Sequence, residues 1–145
     1  MKDYSQQAVE NFENGYNCAQ SVFLAYAQDY DINKEMALKL SSSFGGGMGR
    51  LREVCGAVTA MFAIAGLEKG YTSNNDDDAK AKHYELIQNL AEEFKKEYGT
   101  ILCRDLLELE EETSSPIPSK RTEEYYQSRP CTKFIKKACE LISRL

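Results

Sequence analysis

A chain of 145 residues with 42% hydrophobic and 28% charged side chains has ordinary globular composition, long enough for one domain with a real core, which excludes disorder. The net charge of −5, from 18 basic against 23 acidic residues, lacks the electrostatic footprint of a nucleic-acid binder, and the terminal basic group Lys133, Lys136, Lys137 and Arg144 reads as the wet face of a helix. The polar stretch Met1 to Gln7 has no apolar leader, and the most apolar segment, Val54 to Leu67, falls short of the roughly 18 residues of a membrane span, so a soluble, cytoplasmic protein without membrane insertion is expected.

Helical signals run through nearly the whole chain. The first helix is expected over about Asp3 to Glu13, with Tyr4, Ala8 and Phe12 at fourfold spacing and Gly15 ending it. Asn17 has the pattern of an N-cap, with Gln20 completing a capping box. The helix it opens reaches about Tyr30 and presents Ala19, Phe23, Tyr26 and Tyr30 on one face. Asn33 caps a third helix, with Met36, Ala37, Leu40 and Phe44 expected inward.

That helix meets Phe44-Gly45-Gly46-Gly47-Met48-Gly49. Glycines this dense do not serve helix stability, since each costs up to about 1 kcal/mol against alanine. They permit positive φ or a close backbone approach. No Gly-Lys-Ser/Thr follows and no strand precedes, so the stretch is not a phosphate-binding P-loop.

Val54 to Leu67 is apolar around nearly its whole circumference, the pattern of a helix buried at the centre of a bundle, and Gly56, Ala60 and Ala63 form a small-residue stripe. Asn74 to Asp78 caps a long helix that runs to about Tyr98, with Ile87, Leu90, Phe94 and Tyr98 inward and Gly99 as its stop. A short helix from about Ile101 to Leu109, capped by Thr100, leads through the acidic run Glu108 and Glu110 to Glu112 into an irregular loop, Thr113 to Ser119. Pro130 at the first helical position opens the last helix, with Phe134, Ile135, Ala138, Leu141, Ile142 and Leu145 facing the core. The expected architecture is all-α: one helical bundle over residues 1–145, of about six helices, with a glycine-rich loop before a buried central helix.

The chain has 5 cysteines, an odd count that argues against a structural disulfide framework. Cys18 follows the Asn17 cap, Cys103 sits three residues after Thr100, Cys131 follows Pro130, and Cys55 lies near the start of the apolar helix. Only Cys139 falls in mid-helix, as a core residue. Free N–H groups and the positive helix end favour thiolate over thiol, and Arg52, Arg104 and Arg129, near in sequence to three of the cysteines, push the same way. Against this stands the frequency with which cysteine simply fills core space. No CxxC pair exists, so any site must be assembled from distant segments as disulfides, a zinc site or an iron–sulfur site. His83, the only histidine, reads as a helix-face residue, and Asp76 to Asp78 as a helix start without the spacing of a calcium loop.

Asn17-Cys18-Ala19-Gln20, the glycine loop 44–49, Cys55-Gly56-Ala57 and the single cysteines at 103 and 131 together resemble the C_GCAxxG_C_C family of small, redox-active proteins, over about residues 4 to 143. The resemblance makes Cys18, Cys55, Cys103 and Cys131 the four characteristic cysteines and Cys139 an extra one. The family pattern would put glycine at position 60, where this chain has Ala60.

The leading expectation is therefore dithiol–disulfide chemistry at Cys18, Cys55, Cys103 and Cys131, with a redox partner or small ligand of unknown identity. Gly45, Gly46, Gly47, Gly49 and Gly56 are the candidates for backbone contact with a cofactor. The alternatives are an iron–sulfur or zinc site on the same four cysteines, and a non-catalytic helical module that binds a ligand or partner.

Overall fold

Asn17 caps its helix as the spacing requires. In the computed structural model, which describes residues 1–108 and 115–145, the Asn17 side chain accepts the Gln20 N–H at 2.8 Å. The Gln20 side chain accepts the Asn17 N–H at 3.2 Å in return, so two orphan donors are satisfied reciprocally. The helices are α1 (Ser5–Glu13), α2 (Cys18–Ala27), α3 (Lys34–Ser41), α4 (Gly56–Lys69), α5 (Asp77–Tyr98), α6 (Cys103–Leu106), α7 (Glu123–Ser128) and α8 (Cys131–Ser143). Asn33 caps α3 and Asp76 caps α5 through their side chains, and Gly99 ends α5 at φ +79°. The described residues contain no strand, only an isolated antiparallel bridge between Val54 and Leu102. The protein is all-α, and none of its described helices is long and apolar enough to cross a membrane.

The core forms where α2 meets α4, with α1 and α8 packed against both or beside them. Alanines let α2 approach closely: Ala19, Ala25 and Ala27 are buried alongside Val22, Phe23 and Tyr26. From α4 come Ala57, Val58, Ala60, Met61, Ile64 and Ala65, and from α8 Phe134, Ile135, Ala138, Leu141 and Ile142. The long helix α5 contributes Leu90 and Phe94, while Ile87 and Tyr98 pack partly buried at its edge.

Several expectations need correction. Met36 and Leu40 are 56% and 54% exposed, because the side of short α3 turned to the core is that of buried Ala37 and Ser41, with the Leu38 carbonyl held by Gln20 of α2. The apolar helix begins at Gly56 and is not buried all round: Ala63 and Leu67 face outward, so the small-residue stripe ends at Ala60. The short helix starts at Cys103, not near Ile101, because residues 101–102 pair with 54–55; the Cys55 N–H donates to the Ile101 carbonyl at 2.8 Å. Thr100 consequently caps no helix; its Oγ1 accepts the Leu102 N–H and faces Asp105. Pro130 is the cap residue of α8 rather than its first helical residue. Helix α7 was not expected; Thr122 caps it by accepting the Tyr125 N–H at 3.1 Å, with Glu123 and Glu124 in its first turn. Leu109, the acidic run Glu110 to Glu112, and Thr113 to Ser114 lie outside the described residues.

Candidate functional site

The glycine loop is a tight left-handed turn. Gly46, Gly47 and Gly49 have φ of +67°, +69° and +59°. Gly47 also lacks the space for a side chain: a Cβ there would lie 2.6 Å from Cys103 Cβ and 2.8 Å from the Glu53 carbonyl oxygen. Met48, Arg50 and Arg52 share the left-handed region at φ +69°, +68° and +60° without being glycine, a strained conformation costing about 1–3 kcal/mol each. Three of the five non-glycine residues with positive φ among the described residues thus fall within positions 48–52, beside the cysteines; the other two are Asp31 and Glu108.

The loop delivers backbone donors to Cys18. Cys18 is the first residue of α2, and its sulfur receives N–H groups from Gly46, from Ala19 in its own first turn, and from Gly56 at the start of α4. The approach of α4 is so close that a Cβ on Gly56 would sit 2.5 Å from Cys18 Sγ. Cys55, the cap residue of α4, hydrogen-bonds the Cys18 sulfur. That bond is the largest influence on Cys18, and with the three N–H groups it outweighs burial and lowers the thiol from 9.0 to about 6. At pH 7 the thiolate is then the major form of Cys18.

The other three thiols go the opposite way. Cys55 is held well above its ordinary value, first by its hydrogen bond to Cys18, then by burial and by the Cys18 charge. Cys103 is raised by burial despite the Arg52 guanidinium, whose Nη1 donates to Cys103 Sγ at 3.6 Å. Cys131, at the start of α8, is pushed up to about 12 by burial and the neighbouring Cys18 and Cys103. The expectation that helix starts and arginines lower all four thiols therefore fails for three of them, because desolvation exceeds what one helix turn supplies.

All four of these cysteines nonetheless line one cavity of about 300 Å³. Pairing of 52–55 with 101–104 sets Cys55 and Cys103 beside each other's strand of chain: the Cys103 N–H donates to the Glu53 carbonyl at 2.7 Å. Gly45, Gly46, Gly49 and Gly56 reach the cavity wall, whereas Gly47 is buried behind Cys103. Cys139 lies apart, fully buried in α8 against Tyr26. Among the described residues, no three or more His, Cys, Asp or Glu side chains converge as a metal-ligand group.

Arginine placement departs from sequence proximity. Arg52, three residues before Cys55 in sequence, turns instead to Cys103. Arg104, next to Cys103, faces away, bonding the Arg52 carbonyl at 3.0 Å and Glu53 at 2.9 Å. Arg50, Arg121 and Tyr125 also line the cavity, and sequence reading did not single them out. For Tyr125 the signal was the Thr122 helix start; for Arg50 it was its place directly after the glycine loop. For Arg121 no local pattern exists, since it is placed by the Phe12 ring, 4.4 Å away, and by the carbonyls of Phe12 and Tyr16. His83 sits on α5 against Tyr71, remote from the cavity.

Residues 16–145 match the family model described as "Putative redox-active protein (C_GCAxxG_C_C)". No curated protein and no solved structure matches the chain. With nearly the whole length matched, the chain belongs to the C_GCAxxG_C_C family of redox-active proteins.

Proposed function

We propose that Cys18 and Cys55 form a dithiol–disulfide centre in which Cys18 is the attacking thiolate. The observation that carries this reading is the meeting of two helix starts at the wall of one open cavity: Cys18 opens α2, Cys55 caps α4, and α4 comes so close that a Cβ on Gly56 would lie 2.5 Å from Cys18 Sγ. Thiolate is the nucleophile in disulfide exchange, and a pKa near ambient pH suits an attacking thiol.

The Cys18 thiolate attacks one sulfur of a substrate disulfide. A Cys18–substrate disulfide forms, the substrate's S–S bond breaks, and the departing thiolate takes a proton from solvent. Loss of the Cys18 charge removes two of the three chief causes that hold Cys55 protonated, so Cys55 loses its proton more readily at the stage where it must react, and that proton goes by way of solvent to the second substrate thiolate as it departs. Its thiolate then attacks Cys18 Sγ, releasing the second substrate thiolate and leaving a Cys18–Cys55 disulfide. The substrate gains two electrons and the protein loses them; a thiol reductant of a reducing compartment, such as the cytoplasm, restores the dithiol. Cys103 and Cys131 line the same cavity as neutral thiols, so the attacking role is assigned to Cys18 and the resolving role to Cys55.

Anaerobic protein is alkylated in denaturant before and after brief oxidation, and the intact mass and digest are read. Reversible loss of two sites mapping to Cys18 and Cys55 is expected. Five free thiols throughout, or pairing that omits Cys18, would refute the assignment, and metal analysis of the same preparation then tests the zinc or iron–sulfur alternative.

A further inference from the structure

The cavity is strongly cationic in a chain of net charge −5. Its wall carries Arg50, Arg52, Arg121 and Arg129, and no Asp or Glu among the described residues. Nor does any of these four arginines make an ion pair with a carboxylate among the described residues. Arg121 is engaged elsewhere, its guanidinium on the carbonyls of Phe12 and Tyr16 and against aromatic rings. The other three are less satisfied. Arg52 is 6% exposed, yet its Nε has no partner and its Nη1 has only the Cys103 sulfur at 3.6 Å. The buried Nε of Arg50 also lacks a partner, and its Nη1 meets only Ser119 at 3.4 Å. Arg129 lies over the Tyr125 ring at 5.4 Å. Burial first, and then the charges of Arg52 and Arg129, lower the Arg50 guanidinium from its ordinary value.

Burying guanidiniums without a counter-ion is costly, and planar donors of this kind match carboxylates and oxyanions two bonds at a time. The Cys18 thiolate offers one negative charge against three cations. The glycine turn ties the two features together: a Cβ on Gly46 would lie 2.7 Å from Arg50 Cγ and 3.7 Å from Arg52 Nη1, and the N–H of the same residue holds the Cys18 sulfur. An anion seated on the arginines is thereby beside the nucleophile. A volume of about 300 Å³ suits a small molecule, at the low end of ligand pockets.

We propose that the cavity admits a small disulfide bearing a carboxylate or similar oxyanion, with the anionic group on Arg50, Arg52 and Arg129 and a disulfide sulfur at Cys18 Sγ. The substrate class rests on the dithiol reading of Cys18 and Cys55; the anion site rests on the arginines alone.

Reduced protein is mixed with three disulfides of similar length: dithiodipropionate, which is anionic, bis(2-hydroxyethyl) disulfide, which is neutral, and cystamine, which is cationic. Each rate of Cys18 modification is divided by the rate for a free neutral thiol at equal thiolate concentration. The normalised rate should be at least about tenfold higher for the anionic than for the neutral disulfide, lowest for the cationic one, and the preference should shrink with added salt. Arg52→Gln and, should that variant not fold, Arg129→Gln should each reduce the preference severalfold, with the Cys18 pKa measured alongside to separate charge recognition from thiolate content. Suberate, which resembles dithiodipropionate but cannot exchange, should bind the Cys18→Ser variant and lose affinity with Arg129→Gln. Equal normalised rates together with no suberate binding would overturn the proposal and leave the dithiol centre standing. A protein inert to all three disulfides that still binds suberate would overturn the dithiol reading and the substrate class with it, while supporting the anion site.

Discussion

Replacing Cys55 by alanine removes the largest stabiliser of the Cys18 thiolate. A hydrogen bond to a charged group contributes about 1.5–3 kcal/mol, and one pKa unit corresponds to about 1.36 kcal/mol, so the loss amounts to roughly 1–2 units. Cys18 should move from about 6 to roughly 7–8, because the N–H groups of Gly46, Ala19 and Gly56 remain in place. At pH 7 its thiolate falls from the major form to between roughly a half and a tenth. The assay is the pH dependence of iodoacetamide labelling of the Cys18 peptide, followed by mass spectrometry on native protein under reductant. Cys103→Ala provides the comparison, since Cys103 is not among the groups that set Cys18. An unchanged midpoint in Cys55→Ala, or a wild-type midpoint near 8.5, would refute the reasoning that the Cys55 bond dominates.

In the wild type, labelling of Cys18 should rise through about pH 6 and level off above pH 7, as the charged form fills, while Cys131, at about 12, stays slow across that range. Gly56→Ala should raise the Cys18 midpoint with helical circular dichroism retained, because the new Cβ displaces the sulfur from the Gly56 N–H. Gly47→Ala should cost about 2–5 kcal/mol in chemical denaturation, combining a left-handed alanine with overlap against the Glu53 backbone and Cys103. Gly15→Ala, with nothing within 4 Å of its Cβ, should cost less than that. Cys139→Ala should leave the Cys18 midpoint unchanged, with a stability loss of about 1–2 kcal/mol from its fully buried site.

Legibility in the sequence followed the range of the interaction. Caps were readable because they close within three residues: the side chains of Asn17, Asn33 and Asp76 each accept the N–H of the third residue on. Glycine density announced positive φ for the same reason. Inward faces were readable where a helix is long, as at Leu90 and Phe94, and failed for Met36 and Leu40 because a two-turn helix has too little periodicity to fix its azimuth. Thr100 failed as a cap because residues 101–102 were taken by a partner segment some fifty positions away, which no local pattern encodes.

By itself, then, the sequence determined an all-α chain, a glycine loop needing either positive φ or a close backbone approach, and four cysteines set at or near helix starts, each a consequence of local backbone chemistry. Only the tertiary structure decided which of those cysteines is acidic. The helix start is common to Cys18, Cys103 and Cys131, but three N–H groups from three separate segments, together with the Cys55 thiol, meet only at Cys18. The same packing turned Arg52 to Cys103, gathered Arg50 and Arg129 around the same cavity, and left Cys139 in the core. Charge state depends on donors and dielectric within a few ångströms, and those neighbours come from residues far apart along the chain.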